Sequence, residues 1–142
     1  MIKNIRHTGI VVKDLKASLY FYRDLLGFKI IKQRKELGEY IDNMSVLHGV
    51  KVTTVKMEAP DGQMIELLYY HSHPKEQKER EICDIGITHI AFTVDDLYRA
   101  YALLSAEGIF FNAPPQCSPN GYAKVTFCKA PEGTLIELVE VL

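Results

Sequence analysis

Along the first half of the chain, apolar and polar positions switch between two periods. Residues 4–12 alternate, with His7, Gly9 and Val11 on one face and Thr8, Ile10 and Val12 on the other, which predicts a strand holding a histidine. Asp14 then precedes Leu15, Leu19, Tyr22 and Leu26 at helical spacing, and Gly27 follows as a stop. A capped amphipathic helix of about three turns is predicted. Residues 28–32 predict a second strand, and residues 36–49, which lack a period, predict a loop with one helical turn. Residues 50–58 alternate again, and Ala59-Pro60-Asp61-Gly62 is turn chemistry before an apolar strand over residues 64–70. The order is strand, helix, three strands.

The second half repeats it. Residues 87–94 predict a strand holding His89, Asp96 caps a helix with Leu97, Tyr101 and Leu104 on one side, and Gly108 stops it. A strand over residues 109–111 breaks at Pro114-Pro115. Strands over residues 122–129 and 135–141 follow, the last launched by Ala130-Pro131-Glu132-Gly133 as Ala59-Pro60-Asp61-Gly62 launches its counterpart. The histidines are 82 residues apart (89 − 7) and the strand glutamates Glu66 and Glu137 are 71 apart (137 − 66), so the first half carries the longer middle segment. Between the halves, Pro74 and the run Lys75-Glu76-Gln77-Lys78-Glu79-Arg80-Glu81 predict a solvated linker. The reading is an α+β domain over residues 1–142, made of a βαβββ module at 1–74, a linker at 75–84 and a second βαβββ module at 85–142. Two such curved sheets can together enclose a cleft.

Strand alternation turns the repeat into a candidate site. Ile10, Val12, Ile90, Phe92 and Val94 point away from the histidine face, and Ile65, Leu67, Ile136 and Leu138 point away from the glutamate face. A carboxylate among strand hydrophobes is costly unless something compensates it, and here that cost arises twice at equivalent positions. Two imidazoles and two carboxylates around a divalent cation are formally neutral. His7, Glu66, His89 and Glu137 are therefore expected to ligate one metal ion, with Ni, Co, Zn, Mn and Fe all compatible with that donor set. Four protein donors leave an octahedral ion two positions, which suits a substrate chelating through neighbouring oxygens rather than oxygen activation. Glu137 or Glu66 is the expected base for proton abstraction beside a carbonyl.

Other candidates carry less. His71 and His73 form an i, i+2 pair but sit at the charged linker, and His48 lies in the irregular segment. Cys117 and Cys128 have no neighbouring histidine or Cys-x-x-Cys spacing, which assigns them no nucleophilic role. Nothing in the sequence identifies a glutathione or CoA clamp; Lys32, Arg34, Lys35 and Lys124 are cations available to an anionic substrate, but surface lysines are usually solvated instead. Tyr20, Phe21 and Tyr22 read as helix core with an exposed edge.

Composition narrows the partners. Seventeen basic residues against eighteen acidic ones give a formal charge of −1, with no footprint for nucleic acid. No apolar run approaches the roughly 20 residues of a membrane helix. Three unpatterned cysteines and a polar, charged start at Met1-Ile2-Lys3-Asn4 without a secretory leader predict a cytoplasmic protein acting on a small molecule.

The stretches His7-Thr-Gly-Ile-Val-Val-Lys-Asp-Leu15, Phe21-Tyr-Arg-Asp-Leu-Leu-Gly-Phe28, His89-Ile-Ala-Phe-Thr-Val-Asp-Asp-Leu97 and Pro131-Glu-Gly-Thr-Leu-Ile-Glu-Leu138 resemble the vicinal oxygen chelate superfamily of glyoxalase I, bleomycin-resistance proteins and dioxygenases. The resemblance implies paired βαβββ modules, a homodimer, and metal ligands on the first and last strand of each module. Carried onto this sequence those ligands are His7, Glu66, His89 and Glu137, a set similar to bacterial glyoxalase I. Methylmalonyl-CoA epimerases are also similar but typically have Gln where Glu66 stands. The implied activity is a lyase or isomerase of the glyoxalase type. Alternatives are an epimerase or isomerase acting on an acyl-CoA or sugar-derived metabolite, and a non-catalytic module that sequesters a drug-like ligand.

Overall fold

Local chemistry sets the element boundaries in the computed structural model, which describes residues 1–142. Asp14 Oδ1 accepts the Ala17 N–H at 3.0 Å and starts α1 (Leu15–Leu19), which runs on as a π-helical turn over Tyr20–Leu25. Gly27, at φ 84°, stops it. Asp96 caps α3 (Leu97–Ala106) in the same way, its Oδ1 accepting the Arg99 N–H at 2.9 Å, and Gly108 at φ 79° ends that helix. The wider π turn brings both Phe21 and Tyr22 into the core while Tyr20 stays exposed.

The chain folds as two units, Met1–Gln77 and Lys78–Leu142. The first contains β1 (Thr8–Val11), β2 (Lys29–Leu37), α2 (Glu39–Ser45), β3 (Lys51–Glu58) and β4 (Met64–Tyr70) beside α1. Its sheet has the order β1-β4-β3-β2, with β1 parallel to β4 and the other pairs antiparallel. The second contains β5 (His89–Thr93), α3, β6 (Gln116–Cys117), β7 (Ala123–Lys129) and β8 (Leu135–Val141), in the order β5-β8-β7-β6. The expected α+β class and the doubled strand-helix-strand-strand-strand order are what the fold contains. No helix is long and apolar enough to cross a membrane.

One face of each sheet is covered and dry. In the first unit Ile10, Val12, Val55, Met57, Ile65 and Leu67 are buried with Phe21, Tyr22 and Phe28. In the second, Ile136, Leu138 and Cys128 are buried with Leu97 and Leu104 from α3. Each fully buried Leu or Ile contributes about 1.5–3 kcal/mol relative to exposure. This burial fixes the strand registers, because a slip of one residue would turn every such side chain to the other face.

Three expected elements differ. The first strand starts at Thr8 rather than residue 4, because its parallel ladder begins at Thr8 opposite Ile65 and the residues before His7 are exposed. The second runs on through Leu37, and the expected loop contains the seven-residue α2, entered through Gly38 at φ 103°. The strand expected at 109–111 is reduced to a single bridge from Phe111 to Cys128, with two-residue β6 beyond the prolines, which cannot donate to a ladder.

Candidate functional site

The two modules present a histidine and a glutamate in the same register. Gly9 pairs with Glu66 in the β1/β4 ladder, and Ala91 pairs with Glu137 in the β5/β8 ladder. In each case the histidine lies two residues upstream on the same face, His7 before Gly9 and His89 before Ala91. The small residue between leaves the strand surface beside the carboxylate open. Ile65 and Leu67, and Ile136 and Leu138, flank the glutamates and are buried on the opposite face, so the core holds the carboxylates turned away from the helices.

The side chains meet within each module. His7 Nε2 lies 2.8 Å from Glu66 Oε2, and His89 Nε2 lies 3.3 Å from Glu137 Oε2. Glu66 is the more enclosed carboxylate, with 13% side-chain exposure against 22% for Glu137. Donor atoms about 2.1 Å from a common cation stand about 3.0 Å apart at neighbouring octahedral positions and about 3.4 Å apart at tetrahedral ones. Both pairs have the spacing of one edge of such a polyhedron, and imidazole nitrogen with carboxylate oxygen is a donor set that first-row divalent ions accept. Each pair therefore fits one edge of a metal's coordination shell. Each module gathers two donors; within neither does a third His, Cys, Asp or Glu join them.

The surroundings of the two pairs differ. His89 Nδ1 lies 3.0 Å from Thr88 Oγ1, whereas His7 Nδ1 is buried with no hydrogen-bond partner. Phe127 stands directly across the strand from Glu137, its ring edge-on to His89 with centroids 5.4 Å apart. At the matching place in the first module, across from Glu66, stands Lys56. Phe127 and Lys56 are not legible as site residues from sequence alone, since only the ladder register puts them beside the pairs; Thr88 is the sequence neighbour of His89, and its contact with Nδ1 is what marks it.

The remaining candidates are accounted for elsewhere. His71 Nε2 is 2.7 Å from Thr53 Oγ1 and its ring packs edge-on to Tyr69, while His73 Nδ1 is 2.9 Å from Ser72 Oγ. His48 is exposed, 3.8 Å from Asp42. Asp42 itself accepts the Gly49 and Val50 N–H groups, both at 2.8 Å, and those bonds hold its carboxyl below the usual range. Burial pushes the Cys128 thiol up to about 12, which leaves it unreactive at neutral pH. Lys124 is held by Glu140 at 3.0 Å on the helix side, and Lys35 lies across from Thr53 on that same side.

The model of the Glyoxalase/Bleomycin resistance protein/Dioxygenase superfamily matches residues 4–138. The chain is 32% identical over 142 residues to the uncharacterized Bacillus subtilis protein YwkD, covering 99% of this chain and 98% of that one. It is 28% identical over 137 residues to a Vibrio cholerae protein named probable lactoylglutathione lyase, covering 96% and 89%. In fold it is similar to the crystal structure of a glyoxalase family protein from Bacillus cereus, with a TM-score of 0.91 at 22% identity over 100% of this chain and 96% of that one.

Proposed function

Because the chain belongs to the Glyoxalase/Bleomycin resistance protein/Dioxygenase superfamily, we propose that it is a divalent-metal-dependent lyase or isomerase of the glyoxalase I type. Its reaction is a 1,2-proton transfer on a substrate bound through vicinal oxygens, as in conversion of a hemithioacetal to a thioester. The observation that carries this reading is the shared register of the His7/Glu66 and His89/Glu137 pairs. The similarity to a probable lactoylglutathione lyase supports the choice of reaction.

In this reading His7 and His89 bind through Nε2, Glu66 and Glu137 bind through a carboxylate oxygen, and the two pairs complete one site. The two modules that meet there come from one chain or from two copies in a homodimer. The bound cation supplies Lewis acidity that polarises the substrate oxygens and makes the adjacent C–H acidic. The chain's own task is to hold a carboxylate within reach of that carbon. We assign it to Glu137, whose contact with His89 is looser than that of Glu66 with His7. A Glu137 oxygen takes the proton from one carbon and returns it to its neighbour, and the Phe127 ring limits exchange with water on that side.

The test is turnover of methylglyoxal with glutathione after addition of Ni²⁺, Co²⁺, Mn²⁺ or Zn²⁺, run beside acyl-CoA epimerisation. Metal-dependent thioester formation supports the reading. Epimerisation alone shifts the reaction to the acyl-CoA class, and tight binding of an organic ligand with no turnover overturns the enzymatic reading.

A further inference from the structure

The β2/β3/β4 ladder lines up three side chains on the face that carries the first His/Glu pair. Lys32 stands directly across from Lys56, and Lys56 directly across from Glu66. Side chains opposed in this way share a face, with Cβ atoms about 4.5–5.5 Å apart. Arg34, two residues beyond Lys32, is on the same face. Two lysines opposed across a ladder destabilise the sheet unless an anion lies between or above them. Glu66 does not serve: its Oε2 meets His7 Nε2 at 2.8 Å, and no ion pair joins either of its oxygens to Lys56. Glu58 and Glu36 share the face but flank the row one step to either side of Lys56 and Arg34 rather than lying in it. Lys56 is half-buried while Lys32 and Arg34 are exposed, so the row runs from the His7/Glu66 pair outward to solvent.

The second module has no such row. Its equivalents of Lys56 and Thr54 are Phe127 and Val125, and the residue across from Val125 is Gln116. The one cation on that face of β7, Lys129, stands at the place of Glu58, across from Leu135, with its Nζ 6.0 Å from the centroid of the Phe110 ring. A doubled fold that keeps the His/Glu pair in both copies has thus placed a cation directly across from Glu66 and an apolar ring directly across from Glu137.

We propose that Lys56, with Lys32 and Arg34 behind it, binds an anionic group of the substrate, a carboxylate or a phosphate, placed one strand spacing from the vicinal oxygens. The inference rests on the reading of the His/Glu pairs as the reaction site. Lys56 is the selecting residue, because it alone of the three is both half-buried and next to Glu66. The substrate class is an acidic metabolite with its reacting oxygens at one end and a second negative charge a few bonds away.

The test uses three ligands that share an α-hydroxycarboxylate head: lactate with a methyl tail, malate with a carboxylate tail and 3-phosphoglycerate with a phosphate tail. Affinities are measured by calorimetry on the full chain supplied with Ni²⁺, for the unaltered protein, Lys56→Gln, and the control Lys51→Gln, whose side chain lies on the opposite face. The expected result is at least tenfold tighter binding of malate or 3-phosphoglycerate than of lactate, and the stronger of the two identifies the anion. Lys56→Gln should reduce that preference to within about threefold, and Lys51→Gln should leave it intact. Equal binding of all three ligands, or an undiminished preference in Lys56→Gln, overturns the proposal. Metal content of the same samples keeps the two questions apart. A protein that holds Ni²⁺ without preferring an anionic tail loses only the anion site, and one that prefers it without holding metal loses the metal reading.

Discussion

Thr88 Oγ1 lies 3.0 Å from His89 Nδ1, and no such partner exists for His7 Nδ1. A hydroxyl can donate to a bare Nδ1 or accept from Nδ1–H. Thr88 therefore supports the His89 ring whether Nε2 carries a proton toward Glu137 or offers its lone pair to a cation. An outer partner of this kind typically changes metal affinity by 10–100-fold. With His89 37% exposed, Thr88→Val is expected near the lower end, about tenfold weaker metal binding with the fold retained. Competition against a chelator measures it, and unchanged affinity would remove Thr88 from the site.

The two glutamates are predicted to separate under amide substitution. Glu66→Gln keeps an oxygen donor, so metal is expected to be retained and turnover to fall by no more than about tenfold. Glu137→Gln removes the carboxylate proposed to carry the proton, and kcat should fall by at least about 100-fold, the usual worth of a general base. The reverse ranking would assign the base to Glu66.

Glu140 ties the second module together away from the site. Its Oε2 accepts the Leu97 N–H at 2.8 Å at the start of α3, and its Oε1 accepts from Lys124 Nζ at 3.0 Å. The backbone bond first, and the lysine second, lower the Glu140 pKa. A depressed carboxyl adds stability that is fully present above its unfolded value and lost as pH falls through the folded one. Glu140→Gln should therefore lower Tm at pH 7, and the gap to the unaltered protein should begin to narrow below about pH 4.5 and shrink steadily as pH falls further. A gap that does not narrow on acidification below that pH would show that packing rather than charge carries the effect.

Thiol accessibility checks the second core. Cys83 and Cys117 are exposed and Cys128 is fully buried. A disulfide reagent such as 5,5′-dithiobis(2-nitrobenzoate) should label two thiols in the native protein and the third only on unfolding. Rapid labelling of all three would contradict the burial of Cys128 in β7.

How far the sequence could be read follows from where the energy lies. Strands packed on one face keep a period of two, so β4, β7 and β8 are legible almost to the residue; β3, buried on both faces from Val52 to Val55, is bounded by the Ala59-Pro60-Asp61-Gly62 turn, and the Asp14 and Asp96 caps mark both helix starts. β2 is an edge strand, and most of its residues are exposed on both faces, so its pattern fades after Lys32 although its pairing continues to Leu37. α2 has no side-chain cap, since Gly38 stands where a Ser or Asp would signal the start. Within the site, His7, Glu66, His89 and Glu137 show through the repeat. Lys56 and Phe127 do not, because ladder register alone places them, and Thr88 does not, because its role rests on the orientation of the neighbouring His89 ring.

The central claim is that the two His/Glu pairs complete one metal site, and metal stoichiometry tests it most directly. The protein is loaded with Ni²⁺, freed of excess by gel filtration, and its metal measured by plasma mass spectrometry beside His7→Ala, Glu66→Ala, His89→Ala and Glu137→Ala. The account predicts about one ion per chain, with each of the four substitutions weakening binding at least tenfold, as expected for a lost ligand. An unaltered protein that retains no ion, or substitutions in one module that leave its affinity unchanged, would contradict it.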